Sequence, residues 1–189
     1  MQGWRVETGR KAIHLAMFVF PVWIAVAPAP LRVRGVLLAV ALILTADILR
    51  LRWGAFRRWV HARIGGYLRP REQHRLTSMH YLTAAALVLA IVAPQAIAAT
   101  ALGFLVLGDA CAALVGERWG RHRCGRKSVE GSVACFVGCV TAGWLFLPQH
   151  PGAVLAAAAV ATGVEALPVR VDDNLSVPFI AAMTLWLLV

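Results

Sequence analysis

Apolar runs separated by short polar interruptions fill most of this chain. They fall at 13–29, 35–49, 79–93, 95–115, 129–147, 153–167 and 175–189. Each reads as a membrane-crossing helix. Several are shorter than the ~20 residues that span a ~30 Å hydrocarbon layer, so these must extend into flanking polar residues or sit in a locally thinned bilayer. Pro94, Pro148 and Pro151 mark two tight connections, and residues 50–78 form the one long polar stretch. No internal repeat or domain boundary interrupts the series. The pattern predicts an all-α, polytopic transmembrane bundle of about seven spans, forming a single integral membrane domain over 1–189. Basic residues ahead of the first run and Ala25-Val26-Ala27 near its end imitate a secretory leader. Pro28 is a poor residue just after a cleavage point, however, and six further runs follow regardless.

Composition agrees with this picture. Hydrophobic residues make up 60% of the chain, charged residues 15%, and mean hydropathy is +0.70. A soluble domain has about 45–50% apolar and about 25% charged residues. An ordinary soluble enzyme, a disordered chain and a disulfide scaffold are therefore excluded. Cys111, Cys124, Cys135 and Cys139 show no CxxC spacing, and three of them lie in apolar runs, where small buried thiols pack. The six histidines form neither HxxxH nor HExxH, so no zinc site is expected.

The net charge of +10 would point to nucleic acid in a soluble protein. In a membrane chain, basic residues first report topology. Arg5, Arg10 and Lys11 precede the first span, eight arginines lie between 50 and 75, five Arg or Lys between 118 and 127, and Arg170 follows the sixth span. With seven spans these seventeen share one side, leaving Arg32 and Arg34 on the other. The N-terminus is then cytoplasmic and the C-terminus external. Orientation and contact with anionic lipid account for the charge, and no nucleic-acid partner is expected.

The nine acids carry more information. Glu7, Asp47, Glu72, Asp109, Glu117, Glu130, Glu165, Asp172 and Asp173 all fall on the cytoplasmic side or near a cytoplasmic helix end. A carboxylate within a span costs roughly 2.5–3.5 kcal/mol at the helix centre. Gathering acids and bases at one membrane face suits an anionic, metal-bound substrate.

Three stretches concentrate the candidate chemistry. In the first, Asp109, Ala113, Gly116 and Gly120 share a helix face. This is a small-residue packing stripe that also carries a carboxylate, either a metal ligand or catalytic acid, or a buried acid paired with Arg118 or a neighbour. The second, 120–132, misses the P-loop pattern by one inserted arginine and follows a helix rather than a strand. Ser128 can nevertheless cap the fifth helix, whose free amides stand beside Arg126 and Lys127 and make a phosphate site. Glu130 there serves either the helix dipole or catalysis. In the third, Glu165 precedes Asp172-Asp173-Asn174, which supplies either hard oxygen ligands for Mg²⁺ or a cap for the seventh helix. Asp47 and Arg50, three residues apart, pair with each other or join the site. Arg10, Lys11 and His14 line one face at the start of the first helix, and Glu72 reads as a solvated ion-pair partner.

The order of these motifs resembles that of the CTP-dependent lipid kinases, a family that includes dolichol kinase, phytol kinase and CTP-using diacylglycerol kinase. The matching pieces are Arg10-Lys-x-x-His14, Asp47-x-x-Arg50, Glu72 before Leu76-Thr77 and Tyr81, Gly108-Asp109, Gly116, Gly120, Lys127-Ser-Val-Glu-Gly-Ser132, Glu165, and Asp173-Asn174 with Pro178. The resemblance runs over roughly positions 8 to 180, to the compact bacterial form, and Lys-Ser-x-Glu-Gly-Ser after Gly-Asp is its most specific part. It implies transfer of the γ-phosphate of CTP to a membrane lipid alcohol, with Mg²⁺ or another divalent cation, at the cytoplasmic face of a bacterial inner membrane.

Under this resemblance, Asp109 and Asp173, with Asn174, hold the metal. Lys127, Ser128 and the start of the fifth helix hold the triphosphate, with Lys11, Arg126, Gly116, Gly120 and Gly131 around it. Glu130 or Glu165 orients or deprotonates the acceptor hydroxyl. His14, Asp47 and Arg50 complete the catalytic wall. Two other classes stay open at this point. A CTP-dependent phospholipid cytidylyltransferase would share the nucleotide and the bilayer. A small transporter or membrane scaffold would use the small-residue seams and intramembrane acids, but does not explain acids confined to one face. The sequence names neither the lipid nor the oligomeric state.

Overall fold

The computed structural model describes residues 2–68, 70–125, 127–167 and 171–189. The elements run α1 (Gln2–Ala16), α2 (Val19–Val26), α3 (Ala29–Arg52), α4 (Gly54–Ile64), α5 (Met79–Val92), α6 (Gln95–Gly103), α7 (Asp109–Trp119), β1 (Arg123–Cys124), β2 (Lys127–Ser128), α8 (Val129–Phe146), α9 (Pro151–Ala166) and α10 (Asp173–Leu188). Short 3₁₀ turns occupy Gly65–Tyr67 and Pro70–Gln73.

The first apolar run is not one helix. Pro21 has no N–H to give the Met17 carbonyl, and its ring crowds that oxygen. The chain tightens one turn earlier instead, with Met17 N–H donating to His14 O and Phe18 N–H to Leu15 O, at 3.0 and 2.9 Å. The second run is longer than the apolar positions indicate, because α3 absorbs Arg32 and Arg34 at one end and Arg50 and Arg52 at the other. The polar stretch after it is not merely a loop, since it contains α4. The fourth run continues to Trp119 as a single rod, in which the π-type turns of Phe104–Gly108 join α6 to α7 immediately before Asp109. Such widened turns recur beside functional sites. The prolines act as read from the sequence: Pro94 separates α5 from α6, and Pro151 opens α9.

Three helical stretches among the described residues are long and apolar enough to cross a membrane: Gly9–Val26, Gln95–Trp119 and Val129–Phe146. Met79–Val92, Pro151–Ala166 and Asp173–Leu188 are shorter apolar helices. Residue size is distributed as expected for a helical membrane protein. Ala85, Ala98, Ala157, Ala161 and Ala181 are fully enclosed, whereas Leu37, Leu42, Val133, Val137 and Leu187 face outward. With no aqueous driving force between helices, small residues that permit close backbone approach hold such a bundle together.

The α6–α7 rod is central. α8 packs along it and against α9, while α10 meets α5, α6 and α9. α2 covers α6, α1 covers α7, and α3 lies on α5. Between α7 and α8, β1 and β2 form a two-residue antiparallel ribbon pairing Arg123 with Ser128 and Cys124 with Lys127. Gly125 turns it with φ 62, a conformation that side chains disfavour.

Candidate active site

Two polar clusters stand out among the described residues, and five elements build the first. From α1, Lys11 Nζ donates to Asp109 Oδ2 at 2.6 Å, and His14 Nε2 lies 3.3 Å from the same oxygen. Asp109 heads α7, directly after the π-type turns. From β2, Lys127 Nζ lies 2.8 Å from Glu165 Oε1 and 3.4 Å from Asp173 Oδ2, and it also donates to the Glu165 carbonyl at the end of α9. Asp173 is the first residue of α10. Burial works against the Lys127 ammonium, but the hydrogen bonds and charges of Glu165 and Asp173 outweigh it and raise its pKa above the ordinary lysine value. The lysine is therefore a fixed cation near neutral pH.

The start of α8 forms the floor. Ser128 caps it as expected, its Oγ accepting from Gly131 N–H at 3.1 Å. The helix comes extremely close to α7. A Cβ on Gly131 would lie 2.9 Å from the Ala112 carbonyl and 3.3 Å from Gly116 Cα, and one on Gly120 would meet Ser128. Higher up, a Cβ on Gly108 would lie 2.8 Å from Cys139 Sγ. The seam is thus the i, i+4 ridge of Gly108, Ala112, Gly116 and Gly120. This corrects the expected stripe, which ran through Asp109 and Ala113. Asp109 stands beside the ridge and turns to α1, where Lys11 and His14, rather than Arg118, supply its partners.

Glu130 is placed differently. Its carboxylate receives His122 N–H at 3.2 and 3.3 Å and lies 2.7 Å from His122 Nδ1. It ties the entry of the β-ribbon to α8. His122 is a partner the sequence reading passed over; its signal was a histidine in a basic turn eight residues before an acid. Arg126 lies outside the described residues.

The acids at 172 and 173 divide their work. Asp172 caps α10, accepting from Asn174 N–H at 3.1 Å and from the Asn174 side-chain amide at 2.7 Å, while Asp173 turns to Lys127. The expected metal trio is therefore not gathered into a cage: Asp109 faces Lys11, Asp173 faces Lys127, and Asn174 serves the cap. Among the described residues, no group of three or more His, Cys, Asp or Glu is arranged to hold a metal ion.

The second cluster contains Asp47 and Arg50. Arg50 donates to Asp47 Oδ1 at 2.8 Å and to the carbonyls of Glu72 and Arg75 at 2.9 and 2.8 Å. Asp47 Oδ2 accepts from the N–H and hydroxyl of Thr77 at 2.8 and 2.9 Å, and His80 Nε2 lies 2.9 Å away. Glu72 accepts from Ser78 N–H at 2.9 Å and is buried rather than solvated. These bonds tie the end of α3 to the 72–80 segment and the start of α5. Asp47 and Arg50 thus pair with each other, and among the described residues neither bonds to a member of the first cluster. His80 was not anticipated.

Several known proteins are similar to this chain in sequence. The CTP-dependent diacylglycerol kinase 1 of Schizosaccharomyces pombe is 26% identical over 163 residues, which cover 76% of this chain and 75% of that protein. Phytol kinase of Synechocystis is 36% identical over 99 residues. The resemblance to the CTP-dependent lipid kinases is borne out. The phytol kinase match covers 46% of this chain and 42% of that enzyme, so it speaks for part of each. An uncharacterized protein of Rickettsia prowazekii is 24% identical over 182 residues, 91% of this chain and 89% of its own length. No family model matches the chain, and no solved structure matches it.

Proposed function

We propose that this chain is a CTP-dependent kinase that transfers the γ-phosphate to the hydroxyl of a membrane lipid alcohol: a polyprenol, a phytol-like alcohol or a diacylglycerol. The observation that carries this reading is the convergence of Lys11, Lys127, Asp109, Glu165 and Asp173 from five elements, beside the capped start of α8. The kinase names of two relatives support it.

Phosphoryl transfer is chiefly positioning and charge neutralisation. Lys127, Lys11 and the first-turn amides of α8 receive the triphosphate, with Gly116, Gly120 and Gly131 keeping the floor free of side chains. The hydroxyl oxygen of the lipid bonds to the γ-phosphorus as the bond from that phosphorus to the β–γ bridging oxygen breaks. CDP leaves, and the hydroxyl proton passes to a carboxylate. Glu165, which lies beside Lys127, suits that role better than Glu130, whose oxygens are engaged by His122 outside this cluster. Mg²⁺ needs only one or two carboxylates when phosphate oxygens and water complete its shell. Asp109 and Asp173 are the carboxylates that would hold it as it arrives with the nucleotide, and it would neutralise phosphate charge; Asn174 stays engaged in the α10 cap.

In the same reading the chain crosses the inner membrane of a bacterium seven times, N-terminus inside and C-terminus outside, with the site facing the cytoplasm. The division of seventeen basic residues from two supports this. Reporter fusions after Gln149 and Val189 should both read external; a cytoplasmic readout at Val189 contradicts the odd count.

The activity is tested with CTP labelled at either the α or the γ position, supplied with membranes and candidate lipid alcohols. Label moving from the γ position into lipid is expected. Movement of α label would make the protein a cytidylyltransferase, movement of neither would favour a transporter or scaffold, and equal transfer from ATP would remove the donor assignment.

A further inference from the structure

Helix α4 is not used by the proposed reaction. It leaves α3 at Trp53, where the backbone becomes extended (φ −106, ψ 107), and its main contacts are with its chain neighbours, α3 and the Gly65–Tyr67 turn. Val60 is its buried anchor. Along one side, Trp53 stacks on Phe56 and Phe56 on Trp59, with ring centroids 6.4 and 5.7 Å apart, and the Arg63 guanidinium lies 4.4 Å over the Trp59 ring. Both tryptophans are more than half exposed. Arg52, Arg57, Arg58 and Arg63 are exposed as well, and α4 itself contains no acid.

We infer that α4 lies in the headgroup layer as an interfacial helix that gathers anionic phospholipids. Tryptophan rings favour the boundary between headgroups and chains. Arginines beside exposed aromatics supply attraction to negatively charged headgroups, as in amphipathic surface helices. The commitment to anionic lipid rests on charge: α4 carries three arginines and one histidine and contains no acid of its own. The inference depends on the membrane reading of the chain and not on the nucleotide reading.

The experiment reconstitutes the full chain in phosphatidylcholine nanodiscs containing 20% phosphatidylglycerol, with bromine on the upper acyl carbons of one lipid or the other. Tryptophan quenching is read in the parent and in Trp53→Phe/Trp59→Phe, so that the difference isolates these two rings. Per molecule of brominated lipid, the phosphatidylglycerol form should quench them at least about twofold more strongly, in keeping with the attraction expected for each arginine at an anionic surface. Arg57→Gln/Arg58→Gln/Arg63→Gln should abolish that preference without lowering the melting temperature. Equal quenching by the two lipids, or a preference that survives the arginine changes, overturns the inference. Rings shielded from both lipids would place a second copy of the chain there and overturn it too. No CTP is present, so failure here is distinguishable from failure of the kinase assignment.

Discussion

The two polar clusters contain similar residues but differ in how completely they are satisfied. In the Asp47–Arg50 cluster the Asp47 side chain is 9% and that of Arg50 3% exposed; Asp47 Oδ1 is held by Arg50, Oδ2 by Thr77 and His80, and the guanidinium also reaches backbone carbonyls. In the Asp109–Lys127 cluster the Asp109 side chain is 32% and that of Asp173 46% exposed, and each is held mainly by a lysine ammonium. A buried, saturated network fixes one arrangement of the chain. A half-open pairing of acids and lysines is freer to exchange partners, and it is here that the proposed reading puts the triphosphate and its cation. Residue type alone does not distinguish the two clusters; exposure and saturation do.

The largest expected effect lies in the open cluster. Asp173→Asn keeps size but loses charge, and should remove most turnover while the protein stays folded. Combining it with Asp109→Asn should cost little more than either change alone, since groups acting as a unit are non-additive. Additive losses would divide the cluster into independent parts. In the closed cluster, Arg50→Ala strands a buried carboxylate, and breaking such a pair typically costs about 3–5 kcal/mol. It should appear as a large drop in melting temperature, and an unchanged melt would erase the contrast between the clusters.

Smaller effects sharpen the contrast. Lys127→Ala removes a charge-assisted contact worth ~1.5–3 kcal/mol, so the apparent CTP constant should rise roughly 10- to 150-fold. An unaltered CTP dependence would reduce Lys127 to an internal ion pair. Gly131→Ala puts a methyl 2.9 Å from a backbone oxygen of α7. Forcing the floor of the open cluster apart should cost about 1–3 kcal/mol, measured as a lower melt. Full stability would mean the α7–α8 seam yields easily.

Much of this was legible in the sequence because hydropathy and motif order are local properties. The apolar runs locate the main helices, Ser128 announces its cap, and Lys127-Ser-Val-Glu-Gly-Ser132 marks the floor. The break at Met17–Phe18 was readable in principle from Pro21, yet the run length concealed it. Helix α4 was hidden because its apolar and basic residues alternate over only three turns. That Asp47 and Arg50 bond to the 72–80 segment while Asp109 bonds to α1 was not legible, because it depends on α3 packing on α5 while α1 packs on α7. The same holds for Asp172 and Asp173: adjacent letters point to different partners once α10 begins between them.

The most direct test compares Asp109→Asn with Asp47→Asn, both purified in detergent, measuring turnover against Mg²⁺ and melting temperature with and without CTP. Asp109→Asn should lose turnover while its melting temperature without nucleotide holds or rises, because a carboxylate near the membrane is removed. Asp47→Asn should melt markedly lower, and any activity it loses should follow the loss of fold. Near-normal turnover with a lower melt for Asp109→Asn, or lost turnover with an unchanged melt for Asp47→Asn, would contradict the assignment of chemistry to the open cluster.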